Sequence, residues 1–309
     1  MSATALSLIR RRDGGVSCRW QGAELFRYAY RPDEPDIESP RPYFHPVRTL
    51  GGDVVSLYRP HDHVWHKGIA WSLCEVGGLN FWGGPSFRRD HGYVQLDNNN
   101  GRQRHDRFAR VSVADDELAI DEKLRWIAPS GDTWITESRT ITASVLPDQA
   151  AWRLGFTTTM RNVTGRVIPL GSATTQGREN AGYSGLFWRG PRSFSGGTAL
   201  TEKGPGGDEL MGVRAPWLAY TGRHDGTGRD STLVFADHQE NFSYPSEWFV
   251  RTSVYACLCP APFFSEEYPL RAGQDLTLAY DVIVADGALD EASCAALVAG
   301  LPASQAARA

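Results

Sequence analysis

Apolar and polar residues alternate with a period of two along most of this sequence. In the stretch AWRLGFTTTMRN, one face carries the large apolar side chains Trp152, Leu154, Phe156 and Met160. A second stretch, DLTLAYDVIVADG, repeats the pattern over residues 275–287. Such runs end in turns rich in Gly, Asn and Asp, and they recur from about residue 6 to residue 284. This periodicity is typical of half-buried strands, so the sequence predicts an all-β fold.

We expect these strands to form a large antiparallel β-sandwich, with two sheets packed face to face. The 32 glycines and 18 prolines are spread along the chain, as turns between many strands require. Neither a linker-like change of composition nor an internal repeat divides it, which predicts one sandwich domain over residues 1–309. Residues 290–301 alone follow a helical pattern, with Asp290 as the N-cap, and we expect residues 302–309 to fray.

The charge of the chain argues against two kinds of partner. A formal net charge of −4 gives no basic surface for nucleic acid or for an anionic membrane. No run of roughly 18 apolar residues predicts a spanning helix. The N-terminus, MSATALSLIRRRDGG, places basic residues after a short apolar stretch, the reverse of a secretory signal. We therefore expect a cytoplasmic protein with a small-molecule partner, and a homo-oligomer stays open.

Aromatic residues are abundant, with ten Trp, eleven Tyr and thirteen Phe. Tryptophan at this level is typical of proteins that stack on sugars or other flat ligands. It is equally typical of the core of a large β-sandwich. Composition alone does not choose between these two uses.

The stretch RPHDHVWHKG concentrates three of the eight histidines of the chain. His61 and His63 lie two positions apart, so an extended backbone would point both to one side. His66 would face elsewhere unless the chain turns. An acid–base centre needs one or two of these imidazoles, tuned by a neighbour such as Asp62. We favour that use, and it fails if His61 and His63 lie in separate environments.

Two other uses of the cluster stay open. His61, His63 and His66 are suited to holding a divalent metal, but such a site favours a carboxylate ligand, and the next glutamate, Glu75, follows in a later apolar stretch. We therefore favour no cofactor, with a metal as the alternative. The cluster is also compatible with a hydrogen-bonded polar loop.

The stretch TWITESRTITA predicts a strand with charge on its inner side. Ile135, Glu137, Arg139 and Ile141 share one face. If the isoleucines enter the core, the two charged residues enter with them, and buried charges persist only when they are paired or functional. Either they form an ion pair within the sheet, or Glu137 is a general base and Arg139 a clamp for an anion or a hydroxyl.

A third group of residues is suited to recognising a sugar. The segment over residues 174–191 combines glycines, which allow close approach of the backbone, with amide, guanidinium and aromatic side chains. The short motif LNFWGG adds an amide and an indole. The candidates from these two stretches are Asn80, Trp82, Gln176, Tyr183, Trp188 and Arg189.

Four motifs in order, RPYFHPVRT, RPHDHVWHKG, LNFWGG and AGYSGLFWRGP, resemble a bacterial family catalogued as "methane oxygenase PmoA". The resemblance covers most of the chain. It implies a β-sandwich similar in architecture to galactose mutarotase and a role in sugar catabolism. Methane oxidation by a particulate monooxygenase would require membrane-spanning segments, which the chain does not show. The matching positions are His45, His61, Asp62, His63, His66, Asn80, Trp82, Tyr183, Trp188 and Arg189.

The leading hypothesis is a carbohydrate-processing enzyme of the mutarotase, epimerase or lyase type, acting on a sugar or keto-sugar ring. One histidine of the cluster would be the acid, and Glu137 or another histidine the base. Trp82, Tyr183 and Trp188 would form a stacking wall. A second hypothesis is a metal-dependent hydrolase or oxygenase that uses the three clustered histidines. A third is a non-catalytic sugar-binding module.

Overall fold

Two large antiparallel sheets form a β-sandwich in the computed structural model, which describes residues 6–114 and 117–302. The predicted fold class is therefore confirmed. In sheet order, the eight-stranded sheet comprises β1 (Leu6–Arg10), β2 (Gly15–Trp20), β3 (Ala23–Ala29), β4 (Tyr43–Val47), β5 (Ile69–Ser72), β14 (Gly185–Arg189), β20 (Cys257–Ala261) and β19 (Glu247–Arg251). The nine-stranded sheet comprises β16 (Gly204–Gly206), β15 (Thr198–Thr201), β17 (Trp217–Arg223), β18 (Asp230–Asp237), β22 (Asp275–Asp286), β12 (Ala151–Asn162), β11 (Thr133–Leu146), β10 (Glu117–Ile127) and β9 (Arg102–Ala114).

The segments that connect these strands along the chain form two small sheets and several short helical turns. The three-stranded sheet comprises β21 (Tyr268–Leu270), β13 (Ile168–Gly171) and β6 (Glu75–Val76), and the two-stranded sheet comprises β7 (Ser86–Arg88) and β8 (Gly92–Val94). The single-turn 3-10 helices are Asp36–Glu38, Pro147–Gln149, Arg192–Phe194 and Asp208–Leu210.

Helix α1 (Glu291–Ala299) is the C-terminal helix that the sequence predicts. Asp290 caps it, its carboxylate accepting a hydrogen bond from the backbone N–H of Ser293 at 2.8 Å. The helix packs through Cys294 against the nine-stranded sheet. Residues 303–309 of the expected frayed tail lie outside the described residues. Within the described ranges, none of the helices has the length and apolar character that a membrane crossing requires.

Large aromatic side chains fill the space between the two sheets. Trp71 on β5 lies with its ring centroid 6.2 Å from that of Phe156 on β12. Phe26 on β3 stacks on Trp152 at 5.6 Å. These contacts connect alternate residues of strands in opposite sheets, so the inward faces are those that the period-two pattern predicts.

Glu137 and Arg139 on β11 enter this core with the isoleucines, as the strand pattern requires, and they form an ion pair at 2.8 Å. Trp126 and Thr158 donate hydrogen bonds to Glu137, and Arg139 donates to the hydroxyl of Tyr28 from the opposite sheet. Burial by itself would lower the pKa of Arg139, but Glu137 and Tyr28 raise it above its ordinary value. The sequence left two uses open for Glu137 and Arg139, an ion pair within the sheet or a base and a clamp. The structure contains the ion pair, and every partner of the two residues lies inside the sandwich.

Removing one partner of this pair should destabilise the fold strongly. Arg139→Met leaves the Glu137 carboxylate in the core without its counter-charge, which costs about 3–5 kcal/mol of the free energy of unfolding. Urea denaturation measures this loss. The control is Arg161→Met, whose ion pair with Asp275 is half exposed and should contribute about 1 kcal/mol or less. Equal losses in the two variants would contradict this account of the core.

Candidate functional site

An open cleft of about 460 Å³ lies on the outer face of the eight-stranded sheet. Alternation along β14 and β19 creates it. Trp188 and Trp248 point into the sandwich core, whereas their neighbours Phe187 and Phe249 point to the opposite face and line the cleft. The same two strands therefore supply both the core and the floor of the site.

The histidine-rich loop over residues 59–68 forms one wall of this cleft. Its two ends are held by the buried Glu38, which accepts hydrogen bonds from Arg59 at 2.6 Å and from Lys67. Gly68 closes the loop with a φ of +63°, and a Cβ there would lie 2.2 Å from the Phe44 carbonyl oxygen. Only glycine fits that conformation and that contact. The loop is thus anchored to the sheet.

Two consecutive turns, rather than an extended strand, shape the loop. The backbone N–H of His63 donates to the carbonyl of Pro60 at 3.0 Å, and that of His66 donates to the carbonyl of His63 at 2.9 Å. His63 and His66 therefore stack, with ring centroids 4.6 Å apart and planes 16° apart, and both line the cleft. His61 instead lies on the surface beside Arg192, 2.9 Å away. The expected centre of His61 with His63 is not formed, because the turns place His63 beside His66.

Arg189 and Asp62 determine which nitrogen of each ring carries the proton. Arg189, which is 1% exposed, lies 3.0 Å from Nδ1 of His66 and donates to Asp62 at 2.9 Å. Arginine can only donate, so Nδ1 of His66 is the acceptor and its proton is on Nε2. Nδ1 of His63 lies 2.8 Å from the Asp62 carboxylate, so it donates, and in the neutral form of this ring the lone pair is on Nε2. Within the described residues, neither Nε2 atom bonds a protein group or is sealed from solvent.

The protonation states follow from burial and from these neighbours. Burial lowers the pKa of His66 well below its ordinary value, and the charges of Arg189 and Arg41 lower it further. Burial would raise the pKa of Asp62, but hydrogen bonds from His63, Arg189 and Arg192 outweigh it and hold that pKa well below its usual range. The wall therefore presents a neutral imidazole N–H beside an imidazole backed by a carboxylate.

Aromatic rings form the remaining walls of the cleft. They belong to Trp65, Trp82, Tyr183, Phe187, Phe249 and Tyr255. Asn80 is buried below this surface and holds the turn that carries Trp82, its side-chain oxygen accepting from the backbone N–H groups of Trp82 and Gly83 at 2.8 and 2.9 Å. Gly84 allows Trp65 to pack on that turn, since a Cβ there would lie 2.7 Å from the indole ring. Asn80 thus shapes the cleft without lining it.

Three predicted site residues lie inside the sandwich. Glu137 and Arg139 belong to the core network described above, and Trp188 donates its indole N–H to a backbone carbonyl in the interior at 2.7 Å. Trp188 is not the stacking wall that was expected, because it occupies the inward position of β14. None of the three lines the cleft.

Two further candidates lie apart from the cleft. Gln176 donates to Glu267 at 3.0 Å, and His45 hydrogen bonds to the hydroxyl of Ser56 at 2.8 Å. Burial, together with nearby arginines, lowers the pKa of His45 to about 4. The structure therefore brings together His63, His66, Trp82 and Tyr183, with Asp62, Asn80 and Arg189 positioning them.

The geometry also bears on the metal alternative. Across residues 6–114 and 117–302, no three His, Cys, Asp or Glu side chains are arranged to hold a metal ion. His61 points away from the cleft, so a site made of His61, His63 and His66 would require the loop to refold.

Several lining residues were not predicted from the sequence. They are Trp65, Tyr93, Phe249, Val254 and Tyr255. Arg178 and Phe187 also line the cleft, and both lie in the segment over residues 174–191 that the sequence marks for sugar recognition. Arg251 comes from the stretch SYPSEWFVR, which is a weaker candidate by sequence. Alternation along β14 and β19 could have suggested Phe187 and Phe249 as outward neighbours of core tryptophans. Tyr93, from the hairpin of β7 and β8, reaches the cleft through tertiary contacts, including a 2.7 Å hydrogen bond between its hydroxyl and that of Tyr183.

The sequence matches the model of a family described as a family of unknown function, DUF6807, over residues 15–299, and the chain belongs to that family. This match gives no support to the PmoA name that the motifs suggested. A comparison with curated protein sequences gives no match.

Similar solved structures include three sugar-related proteins. An α-galactosidase from Geobacillus stearothermophilus in complex with raffinose is 12% identical, with 93% of this chain and 40% of that chain covered and a TM-score of 0.38. Galactose 1-epimerase from Lactobacillus acidophilus NCFM is 9% identical, with 92% and 98% covered and a TM-score of 0.39. A galactose mutarotase related enzyme from Lactobacillus acidophilus is 9% identical, with 92% and 99% covered and a TM-score of 0.30. The chain spans about two-fifths of the galactosidase, and similarities this distant carry no functional argument.

The neutral state of His66 predicts a pH-dependent stability. Its pKa is depressed in the fold, so its stabilising effect is present above the unfolded pKa of about 6.5 and is lost as the pH falls. The free energy of unfolding should decrease from pH 7 to pH 5, and His66→Asn should reduce that decrease. Urea denaturation at several pH values measures both slopes. His91→Asn, at an exposed histidine, is the control, and an unchanged slope in the His66 variant would contradict the assignment.

Proposed function

We propose that this protein is a carbohydrate-processing enzyme in which His63 moves a proton on the sugar and His66 stabilises the negative charge that develops. The observation that carries the proposal is the stacked pair of imidazoles, one held by Asp62 and the other by Arg189, at the wall of an aromatic cleft. Opposite tautomers give the pair one acceptor and one donor side by side.

The walls of the cleft support a sugar as the ligand. Apolar C–H faces of a sugar ring stack on aromatic rings such as Trp82 and Tyr183, whose centroids lie 5.0 Å apart. The cleft volume of about 460 Å³ lies within the range of small-molecule sites. A few polar groups at one end of an otherwise aromatic cleft are typical of sites that orient a ligand for chemistry.

The two histidines suit removal of a proton from a carbon beside a carbonyl. Nε2 of His63 would take the proton, and the Asp62 carboxylate would stabilise the imidazolium that results. Nε2–H of His66 would donate a hydrogen bond to the carbonyl oxygen as it gains negative charge, because a neutral imidazole can polarise a carbonyl. Transfer of that proton to a departing β-oxygen gives β-elimination. Epimerisation instead requires a water molecule to protonate the opposite face of the carbon, and the hydroxide that this leaves takes the proton held by His63.

Within the predicted class, this arrangement favours an epimerase or lyase over a mutarotase. Opening a sugar ring requires an acid that protonates the ring oxygen. The N–H of a neutral imidazole is a hydrogen-bond donor but a weak acid, and burial raises the pKa of Tyr183 well above its ordinary value. Enolisation of a keto-sugar needs only the base and the donor that the cleft presents.

Removal of the base should abolish this chemistry with little effect on folding. In D2O, the enzyme should exchange the proton next to the carbonyl of its keto-sugar substrate, which NMR detects directly. His63→Ala should slow that exchange by about 10²–10⁴-fold, and Asp62→Asn should slow it less, since it leaves the imidazole in place. The control is His91→Ala, at an exposed histidine outside the cleft.

A panel of aldoses and keto-sugars makes the test decisive. Exchange that is undiminished in His63→Ala would overturn the assignment of the base. Thermal stabilisation by a sugar with neither exchange nor product on any member of the panel would instead favour the sugar-binding module.

A further inference from the structure

Two arginines on the wall of the cleft have no carboxylate partner among the residues that the structure describes. Arg178 donates a hydrogen bond to the hydroxyl of Tyr93 and lies over its ring, 4.6 Å from the centroid. Arg251 lies 5.5 Å from the centroid of Phe249, and its guanidinium makes no hydrogen bond or ion pair within the described part of the chain. The residues that line the cleft include neither Asp nor Glu.

The two guanidinium groups flank one continuous row of rings. Tyr93 hydrogen bonds to Tyr183, and Tyr183 packs edge-on against Phe249 at 5.5 Å. Arg178 lies at one end of this row and Arg251 at the other. A ligand that stacks on the row lies between two cations in a largely apolar setting, where charge is weakly screened.

The neighbouring phenol does not neutralise Arg178. Burial raises the pKa of Tyr93 above its ordinary value, so its hydroxyl stays protonated at neutral pH. The nearest carboxylate at the imidazole wall, Asp62, is already shared by Arg189 and Arg192. Among the described residues, no carboxylate lines the cleft, so these two guanidinium groups are available to an anionic ligand.

We propose that the sugar bound in this cleft carries an anionic group, a carboxylate or a phosphate, held by one of the two arginines that flank the row, Arg178 or Arg251. The inference rests on the proposed function for the position of the site, and it adds the charge of the ligand. Planar guanidinium groups bind such oxyanions with two parallel hydrogen bonds, which lysine cannot do. A neutral sugar leaves both cations unpaired.

Direct binding measurements test this without any assay of turnover. The probes are galacturonate, glucuronate and glucose 6-phosphate, compared with galactose and glucose, by isothermal titration calorimetry at low ionic strength. At least one charged sugar should bind about 10-fold or more tightly than its neutral parent. A preference for the uronates or for the phosphate identifies the anionic group.

Substitution of the two arginines locates the anion. Replacement by Gln of the arginine that holds the anion, Arg178→Gln or Arg251→Gln, should weaken binding of the charged sugar about 10-fold or more and leave neutral sugars unaffected. Replacement of the same arginine by Lys, which keeps the charge but not the fork, should give an affinity between those of the wild type and the Gln variant. The control is Arg107→Gln, which removes the same charge from an exposed position on the edge strand β9. The unfolding temperature without ligand shows that each variant is folded.

Equal affinities for charged and neutral sugars, absence of binding by all three charged probes, or full affinity in both glutamine variants would overturn the inference. These outcomes differ from failure of the proposed function. If the protein binds a uronate through Arg178 or Arg251 but exchanges no proton, the anion site stands and the proposed enzyme activity fails. If the protein exchanges protons on neutral keto-sugars at a rate that neither arginine substitution changes, the proposed enzyme activity stands and the anion site fails.

Discussion

The arrangement of the cleft depends on one buried cation. Arg189 lies at the end of β14 with almost no exposure to solvent, where an unpaired guanidinium would destabilise the fold by several kcal/mol. Asp62 and the acceptor nitrogen of His66 pair with its two terminal nitrogens, whereas its Nε has no hydrogen-bond partner among the described residues. Both partners come from the loop over residues 59–68. The need to satisfy one strand residue thus determines where that loop lies and which tautomers its histidines adopt.

Much of the fold could be predicted because it depends on local pattern. Period-two alternation identified the inward faces of β11, β12 and β22, and it placed Glu137 and Arg139 inside the sandwich. The capping residue Asp290 identified the start of the C-terminal helix. The expectation of a single domain stays a prediction. Alternation fails where both faces of a strand are apolar, as with Phe187 and Trp188, since the sequence does not say which of the two enters the core.

The candidate site was predicted in part, because long-range contacts shape it. The motif around His63 and His66 and the aromatic pair Trp82 and Tyr183 were recognisable by density and residue type. The H-x-H spacing misled, because it assumes an extended backbone, whereas anchoring by Glu38 and Arg189 makes the loop turn twice. Segments distant in sequence bring Tyr93, Arg178, Arg251 and Tyr255 to the cleft, and local pattern alone does not place them there.

The charged residues that support the fold differ from those available to a ligand in how many hydrogen bonds and ion pairs they make within the protein. Glu137 has an ion pair with Arg139 and hydrogen bonds from Trp126 and Thr158, so it has no remaining capacity for a substrate. Arg251 lies on the wall of the cleft with no such partner among the described residues. Both are charged residues on strands of the sandwich, and sequence pattern alone does not separate these two uses. A folded chain saturates the charges that it buries for its own stability, and the charges that it leaves unsaturated at a concave surface are those that a ligand completes.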